Sequence, residues 1–254
     1  MATTVVALAV AAALALTGCQ GGDDPAAAAS RDEPSSQPPS SVVLVPGYGG
    51  DPASLTTLAA ALRSAGHQVT VVPLPGDGTG DITAMVPGLS AVTSRLSSAG
   101  VPVDVVGYSM GGLVVREWAE GGGASTARRI VLVGTPNHGT DTASLGQLAG
   151  ACPTACQQMV PGSSFLASLN GGDVTPDGPA WITVRSADDE VVRPVDTVAL
   201  DGASNVLLQD ICANADVSHS GLVTQPLPLA VITRAVAPEP WTSPGPDACP
   251  ANRS

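Results

Sequence analysis

Five residues, Gly107-Tyr108-Ser109-Met110-Gly111, constrain this chain more than any other stretch. They follow the strand-like run Val103-Asp104-Val105-Val106 and precede Gly112-Leu113-Val114-Val115-Arg116-Glu117-Trp118-Ala119, which reads as helix. A buried strand that turns sharply into a helix leaves almost no room beside the turn, so the flanking residues must be nearly free of side chains. Glycine meets that need by its size and by letting the backbone take angles closed to other residues. The turn presents the Ser109 hydroxyl above the sheet, and the following helix aims the positive end of its dipole at the same spot. In this strand–turn–helix context G-x-S-x-G reads as a nucleophile elbow centred on Ser109.

The rest of the chain supplies the sheet that such an elbow needs. Short apolar runs at 42–45, 68–74, 129–133, 181–184 and 205–208 read as further strands. Helical spacing appears at 55–65, through Leu55, Leu58, Ala59 and Leu62, and again at 82–98 and 221–236. Pro87 is expected to kink or interrupt the second helix, and Pro226 and Pro228 to give the last an irregular start. Strands that are apolar throughout and alternate with helices predict an α/β fold: a mostly parallel sheet buried between helices on both faces, three layers in all. Residues 41–237 are expected to form this domain. Residues 140–179 lack a strong helical pattern and read as a disulfide-pinned segment rather than a large mobile lid. The polar, proline-rich stretch 238–254 reads as a tail held through Cys249.

The ends of the chain and its charge narrow the compartment and the partners. Residues 2–16 carry no charge and are mostly Ala, Val and Leu, which is short for a membrane span and right for the apolar core of a signal peptide. Leu16-Thr17-Gly18-Cys19 resembles a bacterial lipobox, which implies cleavage after residue 18 and acylation of Cys19, although residues 1–7 lack the basic residues with which export signals usually begin. Residues 19–40, rich in Gly, Ala, Ser and Pro, read as a flexible tether. A formal net charge of −12 disfavours nucleic acid and adsorption to anionic lipid, so a membrane would be met only through a lipidated Cys19. Without Cys19, four cysteines remain: Cys152, Cys156, Cys212 and Cys249. An even number in an exported chain predicts two disulfides, with three pairings open. Cys152 and Cys156 have only His138 near them in sequence and no second cysteine pair, so no metal site is expected.

A serine hydroxyl is a poor nucleophile until a base takes its proton, and histidine is the usual base. The chain has three histidines. His67 precedes a strand. His138 and His219 both follow strands, and residues beyond the carboxyl ends of parallel strands share one edge of the sheet. Asp188 and Asp189 follow the strand at 181–184 and precede His219, giving the order Ser, Asp, His. The tetrahedral intermediate of acyl transfer also needs N–H donors aimed at its oxyanion. Met110, next to the serine, and Tyr48, in the glycine loop Pro46-Gly47-Tyr48-Gly49-Gly50, are the expected donors.

These pieces together resemble the α/β-hydrolase superfamily, specifically small bacterial secreted lipases and esterases. The resemblance rests on Val45-Pro46-Gly47-Tyr48-Gly49-Gly50, Gly107-Tyr108-Ser109-Met110-Gly111-Gly112, Val133-Gly134-Thr135-Pro136-Asn137-His138-Gly139, Asp189-Glu190-Val191-Val192 and Ser218-His219-Ser220-Gly221-Leu222. Pro46 stands where the family usually has histidine. Asn137 is inserted before His138, so no catalytic role is carried onto that histidine.

The order Ser, Asp, His is that of the superfamily's triad and implies His219 as base. The stretch Asp189-Glu190-Val191-Val192 followed by Pro194 looks like the acid loop of secreted lipases and implies Asp189 over Asp188. The resemblance further implies a minimal α/β-hydrolase fold without a large cap domain. The implied chemistry is hydrolysis of a small-molecule ester or lipid through a serine acyl-enzyme, by a monomer that uses no metal or organic cofactor. Thioesterase or acyltransferase activity on the same triad is one alternative. A non-catalytic, ester-binding surface lipoprotein is another.

Overall fold

The structure, a computed structural model, describes residues 40–249, so the expected signal peptide, Cys19 and the tether up to residue 39 lie outside the described residues, while Ser40, expected in the tether, is buried against the domain. Six strands, β1 (Ser41–Val45), β2 (Gln68–Val71), β3 (Val103–Tyr108), β4 (Arg129–Val133), β5 (Ala180–Arg185) and β6 (Ser204–Leu207), form one sheet in the order β2-β1-β3-β4-β5-β6. Every pairing is parallel. Side chains alternate across a strand, and the alternation divides the core in two. Val43, Val45, Val105, Ile130 and Leu132 face α2 (Val86–Ser98) and α3 (Met110–Glu120). Val42, Leu44, Val106, Val131 and Ile182 face α1 (Thr56–Ser64) and α8 (Pro226–Val236). Central strands covered on both faces require apolar residues at successive positions, which is why they lack a polar face. Each such Val, Leu or Ile contributes about 1.5–3 kcal/mol of burial.

The chain leaves β1 for β2 on one side and returns to β3 on the other. The order of strands therefore reverses between β1 and β3, where the loops after their carboxyl ends diverge and open a crevice. Register places Val45 opposite Gly107, so Pro46-Gly47-Tyr48 emerges beside Tyr108-Ser109.

Two proline expectations take definite form, and one reading changes. The run at 82–98 is interrupted rather than kinked: a short 3-10 turn, Thr83–Met85, leads into α2, and Pro87 sits in its first turn, where its missing N–H is not needed. Pro226 and Pro228 likewise begin α8 after a separate 3-10 turn, Ser220–Val223. Residues 140–179 contain three short helices, α4 (Asp141–Leu148), α5 (Thr154–Gln158) and α6 (Ser164–Leu169), and a fourth, α7 (Leu208–Ile211), follows β6. The disulfides pair Cys152 with Cys156 and Cys212 with Cys249. The tail has further anchors. Arg129 donates to the Glu239 carbonyl, Arg234 donates to Thr242, and Trp241 packs against the core on the α8 side.

At the amino-terminal edge of the sheet, Asp104 is fully buried and accepts from Arg128 and from the Ser40 hydroxyl, both through Oδ2. The Ser40 hydroxyl also meets His67 Nδ1 at 3.1 Å, so His67 lies at the end of the sheet opposite Ser109. Burial raises the Asp104 carboxyl above its ordinary 3.8, against the pull of Arg128 and Ser40.

Candidate active site

Ser109 connects β3 to α3 with φ 53° and ψ −129°, and it is the non-glycine residue with positive φ among the described residues. The strained angle therefore belongs to the serine itself. Gly107 and Gly111 are not in the left-handed region; space requires them, not conformational freedom. A Cβ on Gly107 would lie 2.5 Å from Gly112 Cα, and one on Gly111 would overlap the carbonyl oxygens of Val45 and Pro46. The expectation that glycine takes the forbidden angles is thus corrected: strand and helix meet so closely that no side chain fits on either side. The Ser109 N–H donates to the Val133 carbonyl at 2.8 Å, fixing the turn to β4.

His219 Nε2 lies 2.9 Å from Ser109 Oγ, and its Nδ1 lies 2.7 Å from Asp189 Oδ2. All three residues are buried, yet Ser109 and His219 line the cavities above the sheet edge. The other Asp189 oxygen accepts the N–H groups of Val191 and Val192, each at 2.8 Å. Four anchors thus fix the carboxylate and imidazole: two amides hold Asp189, and Glu190 and Tyr108 hold His219. Glu190 Oε2 accepts the His219 N–H at 3.0 Å, and the Tyr108 hydroxyl donates to the His219 carbonyl at 3.2 Å. The Tyr108 ring stacks on the imidazole with centroids 5.1 Å apart. Burial next to Asp189 and Glu190 pushes the Tyr108 phenol well above its ordinary range, so it stays a donor.

Asp188 is exposed and accepts from Gln209 instead of from the imidazole. His138 is exposed, with its N–H on the Thr197 carbonyl. Its neighbour Asn137 is buried. Asn137 donates to the Val198 carbonyl, and its own carbonyl accepts from Arg116 and Asn170. The inserted residue is therefore a structural tie. Burial brings the Arg116 guanidinium down to about 10. The loop after β4 is bound to the acid loop by Thr140 and Thr142, whose hydroxyls both donate to the Val191 carbonyl at 2.7 Å.

The Tyr48 and Met110 N–H groups meet no acceptor among the described residues, and Gly47 approaches the Ser109 side chain closely. Open donors beside a hydroxyl hydrogen-bonded to an imidazole form an arrangement able to stabilise an oxyanion. Sequence reasoning missed Glu190 and the Tyr108 stack. Their contacts join segments more than a hundred residues apart for Tyr108 and twenty-nine apart for Glu190 and His219, and no local signal encodes them.

The fold agrees with comparisons to known proteins. A family model described as "Alpha/beta hydrolase family" matches residues 42–248. Lipase B of Aspergillus fumigatus superposes with a TM-score of 0.73 at 23% identity, over 83% of this chain and 55% of that one. The mature lipase BlEst2 of Bacillus licheniformis gives 0.63 at 16%, over 78% of this chain and 92% of that one. Phospholipase PlaB of Legionella pneumophila gives 0.58 at 14%, over 77% and 59%. The chain thus spans about half the length of the Aspergillus protein, and at these identities the likeness is one of fold. No curated protein matches the chain in sequence. With the family model covering the strands from β1 to β6 and the elbow between β3 and α3, the chain belongs to the α/β hydrolase family.

Proposed function

We propose that the chain is a serine hydrolase that cleaves carboxylic esters. Ser109 Oγ attacks the carbonyl as His219 Nε2 takes its proton, and Asp189 stabilises the imidazolium through Nδ1. The Tyr48 and Met110 amides hold the oxyanion. Collapse breaks the ester C–O bond, and His219 returns the proton to the departing alcohol. Water, deprotonated by His219, then releases the acid and frees Ser109. No step calls on a metal or organic cofactor. The observation that carries this reading is the continuous hydrogen-bonded chain from Ser109 through His219 to Asp189, 2.9 and 2.7 Å, beside two open amide donors. The lipase and phospholipase neighbours support it as relatives in fold.

Turnover of p-nitrophenyl esters of increasing chain length tests the proposal. Wild type hydrolyses at least one of them, and Ser109→Ala lowers kcat by a factor on the order of 10⁴ or more, because the three residues act as a unit. Undiminished hydrolysis in that variant removes Ser109 from the mechanism. The two disulfides fit an exported protein. The same proposal takes Cys19 as its lipid anchor: mass spectrometry of the mature protein is expected to find a diacylated Cys19 at the amino terminus, and an unmodified terminus elsewhere rejects the anchor.

A further inference from the structure

Pro46 opens the loop that carries the Tyr48 amide, and it stands where the resembled family usually has histidine. Proline brings neither an N–H nor a polar side chain, so this loop takes its support from elsewhere. Within the loop, the Gly50 N–H closes a turn on the Gly47 carbonyl at 3.0 Å. From the loop, the Gly49 N–H reaches out to the Gly78 carbonyl at 3.3 Å.

Gly78 also carries the loop by contact. It takes φ +67°, and a Cβ there would overlap Gly50 N and lie 2.6 Å from Gly50 Cα and 2.8 Å from Gly49 C. Backbone rests on backbone, one residue from Tyr48, and only glycine at 78 permits it. The turn that presents Gly78 is set by its neighbour: Asp77 Oδ1 accepts the Thr79 N–H at 3.0 Å and the Thr79 hydroxyl at 2.6 Å. Beyond it the segment is bolted to α5. The Thr79 carbonyl accepts the Ala155 N–H at 3.0 Å, and the Gln158 side chain accepts from the Ile82 N–H at 2.9 Å and donates to Asp81 at 2.7 Å. A continuous support thus runs from the helix of Cys156 to the loop beside Ser109.

We propose that Gly78 is a positioning residue for the oxyanion loop: it seats the Gly47–Gly50 turn so that the Tyr48 N–H faces the carbonyl that Ser109 attacks. This rests on the serine-hydrolase reading above. An oxyanion donor works only within about 2.7–3.1 Å of the developing charge, and a misplacement of about 1 Å costs on the order of 10²-fold. A methyl at 78 cannot share the place of Gly50, so in Gly78→Ala one backbone gives way and the Tyr48 amide moves with it.

A pair of inhibitors isolates that effect. With an octyl trifluoromethyl ketone, Ser109 Oγ adds to the carbonyl carbon, its proton passes to His219 Nε2, and the carbonyl π pair becomes an oxyanion on the amides. The matching trifluoromethyl carbinol fills the same space without an oxyanion. The ratio of their Ki values is read within each protein, so any loss of folded enzyme cancels. Wild type is expected to bind the ketone far more tightly. Gly78→Ala is expected to shrink that ratio at least about tenfold and to lower kcat for a p-nitrophenyl ester about 10²-fold with KM within about threefold. Asp77→Ala, an exposed change that frees the turn and leaves the glycine, is expected to shrink the ratio at least about threefold, and Asp77→Asn, which keeps the accepting oxygen, to restore it to within about twofold of wild type. An unchanged ratio in Asp77→Ala, or in Gly78→Ala as folded protein, overturns the proposal, as does an Asp77→Asn ratio as low as that of Asp77→Ala. Each of these leaves the serine-hydrolase reading intact. That reading fails, and this one with it, if wild type hydrolyses no ester or binds the ketone no better than the carbinol.

Discussion

Holding a serine at φ 53° costs on the order of 1–3 kcal/mol, which the surroundings must over-determine. Here they do so by contact: the Ser109 amide is tied to β4, and Gly107 and Gly111 let strand, helix and the β1 loop close around the turn. Gly111→Ala is therefore expected to destabilise the protein by about 1–3 kcal/mol, since its methyl meets backbone oxygens that cannot rotate away. Thermal unfolding checks this, and a change in Tm of a degree or less contradicts it. The two neighbouring aspartates offer a cleaner contrast. Asp189→Asn is expected to lower kcat about 10⁴-fold, because an amide cannot hold the imidazole in the working tautomer. Asp188→Asn, facing Gln209 and solvent, is expected to stay within about twofold, the ordinary range for a surface change. Steady-state kinetics on one p-nitrophenyl ester measures both.

At the scale of elements, the two disulfides close loops of very different length. Cys212–Cys249 spans 37 residues and ties the tail to the segment after β6, whereas Cys152–Cys156 spans 4 and braces a single turn near the cavity. Chain entropy predicts about 4 kcal/mol of stabilisation from the first and about 2 from the second. Denaturant unfolding of the paired Cys→Ser variants is expected to rank them so, and the reverse order contradicts it. The buried Asp104–Arg128 pair adds a pH term. With the folded Asp104 pKa raised above 3.8, the folded state holds its proton longer than the unfolded one. Its contribution is full below 3.8 and is lost as pH rises through the raised value. Wild type measured against Asp104→Asn is thus expected to lose relative stability over that interval; a relative gain contradicts the sign. These same elements show what a sequence can carry. β4 lies where its apolar run places it, and β1, β3 and β5 lie within one or two residues of theirs, because a strand buried on both faces is apolar at successive positions; the edge strand β6, of which only Val206 is buried, lies within one residue of its run. The helices at 140–179 were illegible because they run 8, 5 and 6 residues, too short for a period to repeat, and α4 buries only Ala143. Pro87 marks an interruption of the run at 82–98, but whether it kinks a helix or opens one depends on where the helix begins, which the residues before it do not announce.

At the scale of the whole molecule, the site is a product of topology. Ser109, Asp189 and His219 are 80 and 30 residues apart along the chain and meet because each follows a secondary-structure element ending on one edge of the sheet. Their order and their positions after strands were legible; the distances between them, and the parts of Tyr108 and Glu190, required the folded chain. The account comes down to whether this convergence makes Ser109 nucleophilic. Labelling with a fluorophosphonate followed by peptide mass spectrometry asks that directly, since phosphonylation needs the base and the oxyanion donors assembled. The account predicts one adduct, on Ser109, abolished in His219→Ala. An unlabelled Ser109, or labelling that persists undiminished without His219, contradicts it.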